Sequence, residues 1–294
     1  MTFEELGEKL KKVADQVGPG VVGIGQRWGV GSGVSLGGGR ILTNAHNVRR
    51  EDVTVTLPGG ETTTGRMAGA DVDKDIAVVT VDGAPPAPEW AEDLSSVGIG
   101  TPVFALSNPG GRGLRVTYGF VSGTERSFRG PRGRRIAGSI EHTAPLLPGS
   151  SGGPIVDLEG RLLGLNTNRL GEGFYLAIPA DLALREQADA LAKGQAPARP
   201  RMGVGLAPAE VARGLRKAVG LPERDGLLIR AVEEKSPADA AGIKEGDLLV
   251  AAGDQPLADF DGLFDALESA DGELRVKIVR GVDEHELVVS FGAD

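Results

Sequence analysis

The sequence predicts a mainly β domain followed by a smaller α+β module. Between residues 21 and 179, short apolar runs alternate with turns rich in glycine and proline, and no helical pattern intervenes. Glycine is frequent, with 46 residues among 294, which favours a fold with many tight turns. After residue 201 the pattern changes to strands alternating with helices. This length suits one large or two ordinary domains.

The N-terminal segment predicts a short amphipathic helix. Leu6, Leu10, Val13 and Val17 recur at spacings of three and four residues, which places them on one helical face. The Gly-Pro pair at 18–19 ends the pattern, because proline cannot continue a helix.

Ten segments with strand character follow. Many strands at close spacing without intervening helices indicate a sandwich or a barrel. Aromatic residues make up only 4% of the chain, so the core must consist mostly of Val, Leu, Ile and Ala. Residues 82–96, which contain three prolines, predict a long surface loop. The segments are VVGIG, GVSL, RILTNA, VTVTL, DIAVVTV, PVFAL, RVTYGFVSG, PIVDL, RLLGLNT and FYLAI.

A helix is predicted over residues 180–194, after the last of these strands. Asp181 suits its N-cap and Gly194 the position after its C-terminus. The sequence QAPARPR then indicates a linker, and strands and three helices follow in the second module. We therefore expect an N-terminal helical segment at 1–19, a first domain at 20–184, a helix end and linker at 185–200, and a second domain at 201–294.

Composition excludes several classes of function. The formal charge is 32 − 41 = −9, which argues against nucleic acid as a partner. The chain has no cysteine, so it has no disulfide, thiol nucleophile or thiolate metal site. Phosphate-binding loops of the type G-x-x-x-x-G-K are absent, and we expect neither a cofactor nor a metal.

The sequence also bears on localisation. No run approaches the roughly 20 apolar residues of a membrane helix. The N-terminus carries acidic residues and lacks the apolar region of a signal peptide. We therefore expect a cytoplasmic protein, or a periplasmic or other extracytoplasmic one if a leader has been removed.

The motif LLPGSSGGPIV at 146–156 raises the possibility of a serine nucleophile. Read as G-x-S-x-G, it has the spacing of a nucleophile elbow, which requires an acid and then a histidine after Ser151. The only later histidine is His285, in the second module, so we reject this interpretation. The remaining order is His46, then an acid, then a serine, which is that of a His-Asp-Ser triad on a β-rich chain. Asp71, Asp73 and Asp75 all stay open as the acid, because they lie at a spacing of two residues.

A wider set of motifs resembles the HtrA/Deg family of trypsin-like serine proteases. These are GSGV (31–34), ILTNAHNV (41–48), DVDKDIAVV (71–79), PGSSGGPIVDLEGRLLGLNT (148–167) and LAIP (176–179), followed by RMGVGL (201–206) and KSPADAAGIKEGDLLVAAGDQPL (235–257). The resemblance runs from about residue 21 to 291. It implies a chymotrypsin-like double β-barrel followed by an α+β PDZ domain.

The resemblance also implies roles for residues. Ser151 is the nucleophile, His46 its base and Asp75 the acid that orients the base. The backbone N–H groups of Gly149 and Ser151 form the oxyanion hole. Leu146, Leu170 and Phe174 line the S1 pocket, and without an acid there we expect cleavage after small or medium aliphatic residues.

Two departures from the family pattern stand close to these motifs. A hydrophobic residue is usual where Asn47 follows the histidine, and Thr-Asp is usual where His142-Thr143 precedes the nucleophile. Both put the conformation of the loops in doubt rather than the identity of the triad. We expect His142 to be structural and His285 to lie at the surface. The arginine-rich segment RSFRGPRGRR (126–135) is expected to be a solvated loop, with a regulatory contact as the alternative.

The second module is expected to bind peptides with hydrophobic C-termini by strand addition. The resemblance assigns this role to Met202, Gly203 and Val204. It further implies an ATP-independent endopeptidase for unfolded or damaged proteins, acting in protein quality control as a homotrimer assembled through Phe3 and the N-terminal helix. The alternative is a catalytically idle, peptide-binding or chaperone-like scaffold.

Overall fold

A computed structural model describes residues 2–25, 30–83, 85–171, 173–197 and 199–292, with the backbone alone at 168–171. The chain divides into two compact units, Met1–Ala196 and Pro197–Asp294. The first contains two closed β-barrels and the second a single sheet with helices. The predicted mainly β fold, a double barrel followed by a PDZ-type α+β module, is confirmed.

Six antiparallel strands close the first barrel in the order β1-β2-β3-β6-β5-β4. Closure depends on pairing of β1 with β4, in which Ile24 lies opposite Val55. The barrel encloses a cluster of buried aliphatic side chains that includes Val22, Ile41 and Val79. The strands are β1 (Val21–Ile24), β2 (Gly31–Gly37), β3 (Arg40–Thr43), β4 (Asp52–Thr56), β5 (Thr62–Asp71) and β6 (Ile76–Thr80).

The second barrel repeats this plan in the order β10-β11-β12-β9-β8-β7. Pairing of β7 with β10 closes it, with Ala105 opposite Ile155. Its strands are β7 (Pro102–Ser107), β8 (Arg115–Arg129), β9 (Arg135–His142), β10 (Pro154–Val156), β11 (Leu162–Gly171) and β12 (Phe174–Pro179).

Neighbouring side chains of a strand point to opposite faces, so one set fills a barrel interior and the other packs between the two barrels. On β3, Ile41 belongs to the cluster drawn from the first barrel alone, whereas Leu42 belongs to a larger cluster that joins both barrels. Phe104 and Leu165 contribute to this larger cluster from the second barrel. Successive side chains on a strand point to opposite faces, so one strand serves both purposes. The cleft between the barrels is thereby fixed.

Two helices pack against the barrels. Helix α1 (Phe3–Val17) starts at a capping box between Thr2 and Glu5 and buries Val13 and Val17, as the sequence predicts. Helix α2 (Leu182–Ala192) starts at Asp181, whose side chain accepts from the Leu184 N–H at 2.8 Å. It contacts β5 and β6. The predicted domain limits at 19, 184 and 200 remain predictions.

The second unit has a sheet with the order β13-β14-β15-β17-β18, and the short β16 pairs with β15. Its core contains aliphatic residues such as Leu227, Leu249 and Ile278. The strands are β13 (Val204–Ala207), β14 (Leu227–Val232), β15 (Leu248–Ala252), β16 (Gln255–Pro256), β17 (Glu273–Arg280) and β18 (Asp283–Ser290). The helices are α3 (Ala209–Ala218), α4 (Pro237–Ala240) and α5 (Phe260–Glu268).

Candidate active site

The structure brings His46 and Asp75 together. His46 lies on a single 3₁₀ turn after β3, and Asp75 lies in the turn between β5 and β6. Nδ1 of His46 is 2.9 Å from both carboxylate oxygens of Asp75, and the His46 backbone N–H donates to Oδ1 at 3.1 Å. The ionised carboxylate only accepts, so Nδ1 carries the proton and Nε2 keeps a free lone pair. This is the tautomer that a general base needs.

Asp75 is buried and held from several sides. Thr167 Oγ1 donates to its Oδ2 at 2.8 Å, and Asn44 Nδ2 donates to its backbone carbonyl at 3.0 Å. Its backbone has φ +56°, a left-handed conformation that aspartate tolerates better than most residues. These contacts fix the carboxylate against the imidazole.

The two other aspartates of DVDKD have different partners. Asp71 is buried and accepts from the backbone N–H groups of Asp73 and Lys74 at 3.1 and 3.2 Å. It therefore shapes the turn that presents Asp75. Asp73 lies 3.8 Å from Nε of Arg134. Of the three candidates left open by the sequence, the geometry puts only Asp75 at His46.

The two adjacent serines differ in environment. Ser150 is 2% exposed, and its hydroxyl donates to Oγ of Ser107 at 3.1 Å. Ser151 is half-buried, and its hydroxyl donates to the Thr167 carbonyl at 2.8 Å rather than to the imidazole. Thr167 thus contacts Asp75 through its side chain and Ser151 through its backbone. The Ser150 side chain is therefore buried, whereas that of Ser151 is partly open to solvent.

The loop at 148–153, here called the nucleophile loop, leaves two N–H groups available. The N–H groups of residues 150, 152 and 153 donate to backbone carbonyls at 3.1, 2.7 and 3.0 Å. In the part of the chain that the structure describes, no acceptor pairs with the N–H of Gly149 or Ser151. Gly149 has φ +90°, which glycine adopts without strain. Two neighbouring unpaired N–H groups can bind an oxyanion.

A cleft of about 480 Å³ contains these groups. Its walls include Leu146, one of the three predicted S1 residues. Phe174 is not among the lining residues and is 45% exposed, while the next residue, Tyr175, lines the cleft. The predicted position of Leu170 lies outside the described side chains. The cleft is lined by His46, Asp75, Phe128, Arg129, Gly130, Pro131, Leu146, Leu147, Pro148, Gly149, Ser150, Ser151, Asn166, Thr167 and Tyr175.

His142 lies beneath this cleft rather than in it. It is 0% exposed, its Nε2 is 2.9 Å from Oδ1 of Asn166, and its ring stacks on Tyr175 with centroids 5.8 Å apart. Burial lowers the pKa of His142 to about 4, against the opposing effect of the Asn166 hydrogen bond. The ring is therefore neutral at pH 7. It supports two residues of the cleft wall without contacting the triad.

The arginine-rich segment is part of the β8–β9 hairpin. Residues 128–131 form one wall of the cleft. Arg126 on β8 forms an ion pair with Glu141 on β9 at 3.2 Å, so this contact links the two strands of the hairpin. His285 is exposed on β18, opposite Ile278 of β17.

In the second unit, the three predicted peptide-binding residues have unequal positions. Met202 is buried in the core, and its carbonyl accepts from the Ala238 N–H at 2.9 Å. Gly203 has φ +79°, and a Cβ there would lie 2.3 Å from Cβ of Ser236, so glycine is required. Val204 begins β13, an edge strand of the sheet. An edge strand has unpaired backbone groups that can accept an added strand.

Within the described residues there is no group of three or more His, Asp or Glu side chains that could hold a metal ion. None of the described helices is long and apolar enough to cross a membrane.

Comparison with known proteins agrees with this geometry. A trypsin-like peptidase domain matches residues 31–165, and a PDZ domain matches residues 228–280. A relative from Synechocystis sp., described as "Putative serine protease HhoA", is 34% identical over 86% of this chain and 68% of its own length. One from Rickettsia conorii, "Probable periplasmic serine endoprotease DegP-like", is 30% identical over 87% of this chain. The chain spans about half of that relative's length, 52%.

Solved structures share the same fold. The "HtrA-type protease AlgW with decapeptide" matches with a TM-score of 0.65 at 23% identity and covers 96% of this chain and 97% of that one. A serine endoprotease from Yersinia pestis matches with a TM-score of 0.62 at 24% identity, with 96% of both chains covered. Because the Synechocystis relative is 34% identical and is covered over 68% of its length, and both domains match, the chain belongs to the HtrA/DegP family of trypsin-like serine proteases that carry a PDZ domain.

Proposed function

We propose that the chain is an ATP-independent serine endopeptidase with the triad His46, Asp75 and Ser151. The observation that carries the proposal is the 2.9 Å contact between the His46 imidazole and the buried Asp75, beside a half-buried Ser151. Asp75 holds the proton on Nδ1, which leaves Nε2 available to act as a base.

The reaction begins when the Ser151 hydroxyl leaves the Thr167 carbonyl by rotation about its Cα–Cβ bond. Its proton passes to Nε2 of His46 as Oγ attacks the scissile carbonyl carbon. The oxyanion accepts hydrogen bonds from the N–H groups of Gly149 and Ser151, each typically contributing about 3 kcal/mol. His46 then protonates the leaving amine, and water hydrolyses the acyl-enzyme by the same route.

Specificity follows from the cleft wall. Leu146 and Tyr175 give it an apolar side, and among the described residues that line it the one carboxylate, Asp75, is already bound to His46. The described part of the cleft therefore offers no free acid to an Arg or Lys side chain of a substrate. We expect cleavage after Val, Ala or Leu, and rapid cleavage of an arginine-specific peptide with aliphatic ones untouched would contradict this.

The second unit supports a role in peptide binding. β13 is an edge strand, and Gly203 allows close approach of the backbone before it. We propose that peptides with hydrophobic C-termini add to this edge and regulate proteolysis. The burial of Met202 leaves Val204 as the residue of the predicted trio at the edge.

The homotrimer and the compartment are also proposals. Phe3 is 92% exposed at the start of α1. Burial of this apolar side chain against another copy of the chain would stabilise an oligomer. A mass of three chains by light scattering would support the trimer, and the mass of one chain would contradict it.

Several relatives are described as periplasmic. We propose an extracytoplasmic location, with unfolded proteins as substrates.

Degradation of casein without ATP tests the central proposal. The wild-type protein should cleave casein, and Ser151→Ala should not. Cleavage that persists in Ser151→Ala would assign the activity to another group. If neither protein cleaves, with or without peptides that end in hydrophobic residues, the chain is an idle scaffold.

A further inference from the structure

The side chain of Asn47, directly after His46, forms a hydrogen bond to the backbone of Ser151. It lies on the same 3₁₀ turn and is 8% exposed. Its Nδ2 donates to the backbone carbonyl of Ser151 at 2.9 Å and to Oγ1 of Thr43 at 3.1 Å. A side-chain amide has two donor hydrogens, so both are used. The amide therefore has one orientation in which its donors are satisfied.

The chain makes room for this amide. A Cβ at Gly31 would lie 2.3 Å from Cγ of Asn47, so any other residue at 31 would displace the side chain. The next residue, Ser32, donates its N–H to the same Ser151 carbonyl at 2.8 Å. Its hydroxyl donates to the Gly149 carbonyl at 2.9 Å. Both carbonyls that flank Ser150 are thus held by the first barrel.

This arrangement joins two parts of the site that come from different barrels. His46 follows β3 of the first barrel, whereas Ser151 lies between β9 and β10 of the second. The Asn47 amide connects the residue next to the base, in the first barrel, to the backbone carbonyl of Ser151, in the second. Holding that carbonyl orients the Ser151 backbone, including its N–H and its Cα–Cβ bond. A misplacement of about 1 Å at such a centre can cost about 100-fold in rate.

We propose that Asn47 is a positioning residue that holds Ser151 in register with His46 and aims its N–H at the oxyanion. This inference rests on the proposed function, because it assumes that Ser151 is the nucleophile. It predicts an effect on the chemical step and little effect on ground-state binding, since the Asn47 side chain does not line the cleft. The lost orientation should therefore appear in kcat and not in KM.

Asn47→Leu tests the inference, because leucine has a similar branched shape and no donor. We expect kcat on an aliphatic peptide to fall about tenfold and KM to stay within about twofold. The rate of Ser151 labelling by a fluorophosphonate should fall in parallel. Asn47→Ala provides a second variant should the leucine form fail to fold. Val55→Ala is the matched control, since Val55 is a buried aliphatic residue of β4 and belongs to neither loop of the site.

The outcomes separate the possibilities. A fall in kcat for the Asn47 variants, with none in Val55→Ala at an equal loss of Tm, supports the positioning role. An unchanged kcat in both Asn47 variants overturns it, as does a loss that Val55→Ala reproduces. If the wild type neither cleaves peptides nor reacts with the fluorophosphonate, it is the proposed function that fails, and the inference fails with it.

Discussion

Replacement of His142 by threonine should remove a pH-dependent part of the stability of the first unit. His142 is fully buried, and burial lowers its pKa from 6.5 to about 4. In the unfolded chain the ring takes up its proton as the pH falls through about 6.5. In the folded protein it does so only near 4. Acid therefore favours the unfolded state between these two values.

The size of the effect follows from linkage. Each pH unit in which only the unfolded chain is protonated costs about 1.4 kcal/mol. From pH 6.5 to pH 5 this gives a loss of about 2 kcal/mol, and about 3 kcal/mol is lost by pH 4. Below pH 4 both states carry the proton and the loss stops growing. In His142→Thr this contribution is absent, so the free energy of unfolding should depend less steeply on pH.

The assay is urea denaturation of both proteins at pH 7.5, 6, 5 and 4.5, in a Ser151→Ala background to prevent self-digestion. The sequence from residue 197 onward contains no tryptophan, so tryptophan fluorescence reports unfolding of the first unit separately from that of the second. Lost packing against Tyr175 lowers the stability of the variant equally at each pH. The exposed His285→Thr serves as the control. Parallel pH profiles for wild type and His142→Thr would refute the reasoning.

Three further predictions follow from particular contacts. Asp75→Asn keeps the shape of the acid but loses the tautomer it selects, so kcat on an aliphatic peptide should fall about 10⁴-fold; a loss below about tenfold contradicts the role. Gly152→Ala places a Cβ 2.1 Å from the Ser32 carbonyl at φ +87°, so fluorophosphonate labelling should be lost while circular dichroism stays native-like. Arg280→Ala removes the partner of buried Asp247, which it contacts at 2.7 and 2.8 Å. The free energy of unfolding of the second unit, measured by calorimetry, should therefore fall by about 2 kcal/mol, less than for a fully buried pair because the Arg280 side chain is 39% exposed. An unchanged transition would show that solvent screens the pair.

The strands and helices could be predicted from local patterns, whereas their closure into two barrels was implied only by the family resemblance. Short apolar runs bounded by turn residues identify β3 and β6 individually. Pairing of β1 with β4, or of β7 with β10, joins segments far apart in the chain, and nothing local encodes the register. The helix start at Asp181 could be predicted because a cap is a local contact of side chain and backbone.

Within the site, the order of motifs predicts His46, an acid and Ser151, and the family resemblance selects Asp75 as the acid, but neither predicts the residues that support them. The sequence indicates Thr167 only as the end of a strand, although polar residues that end a buried strand can signal a site. Its contact with Asp75 spans 92 positions, so it depends on the folded structure. On β12 the assignment of Phe174 to the cleft was off by one residue. Neighbouring residues of a strand face opposite sides, and the structure puts Tyr175 at the cleft instead.

The most direct test of the account is to locate the adduct formed by a fluorophosphonate on the wild-type protein by fragmentation mass spectrometry. The account predicts one adduct, on Ser151, which is absent from His46→Ala because the base that activates the hydroxyl is missing. An adduct on the buried Ser150, or labelling of Ser151 that is equally fast in His46→Ala, would contradict it.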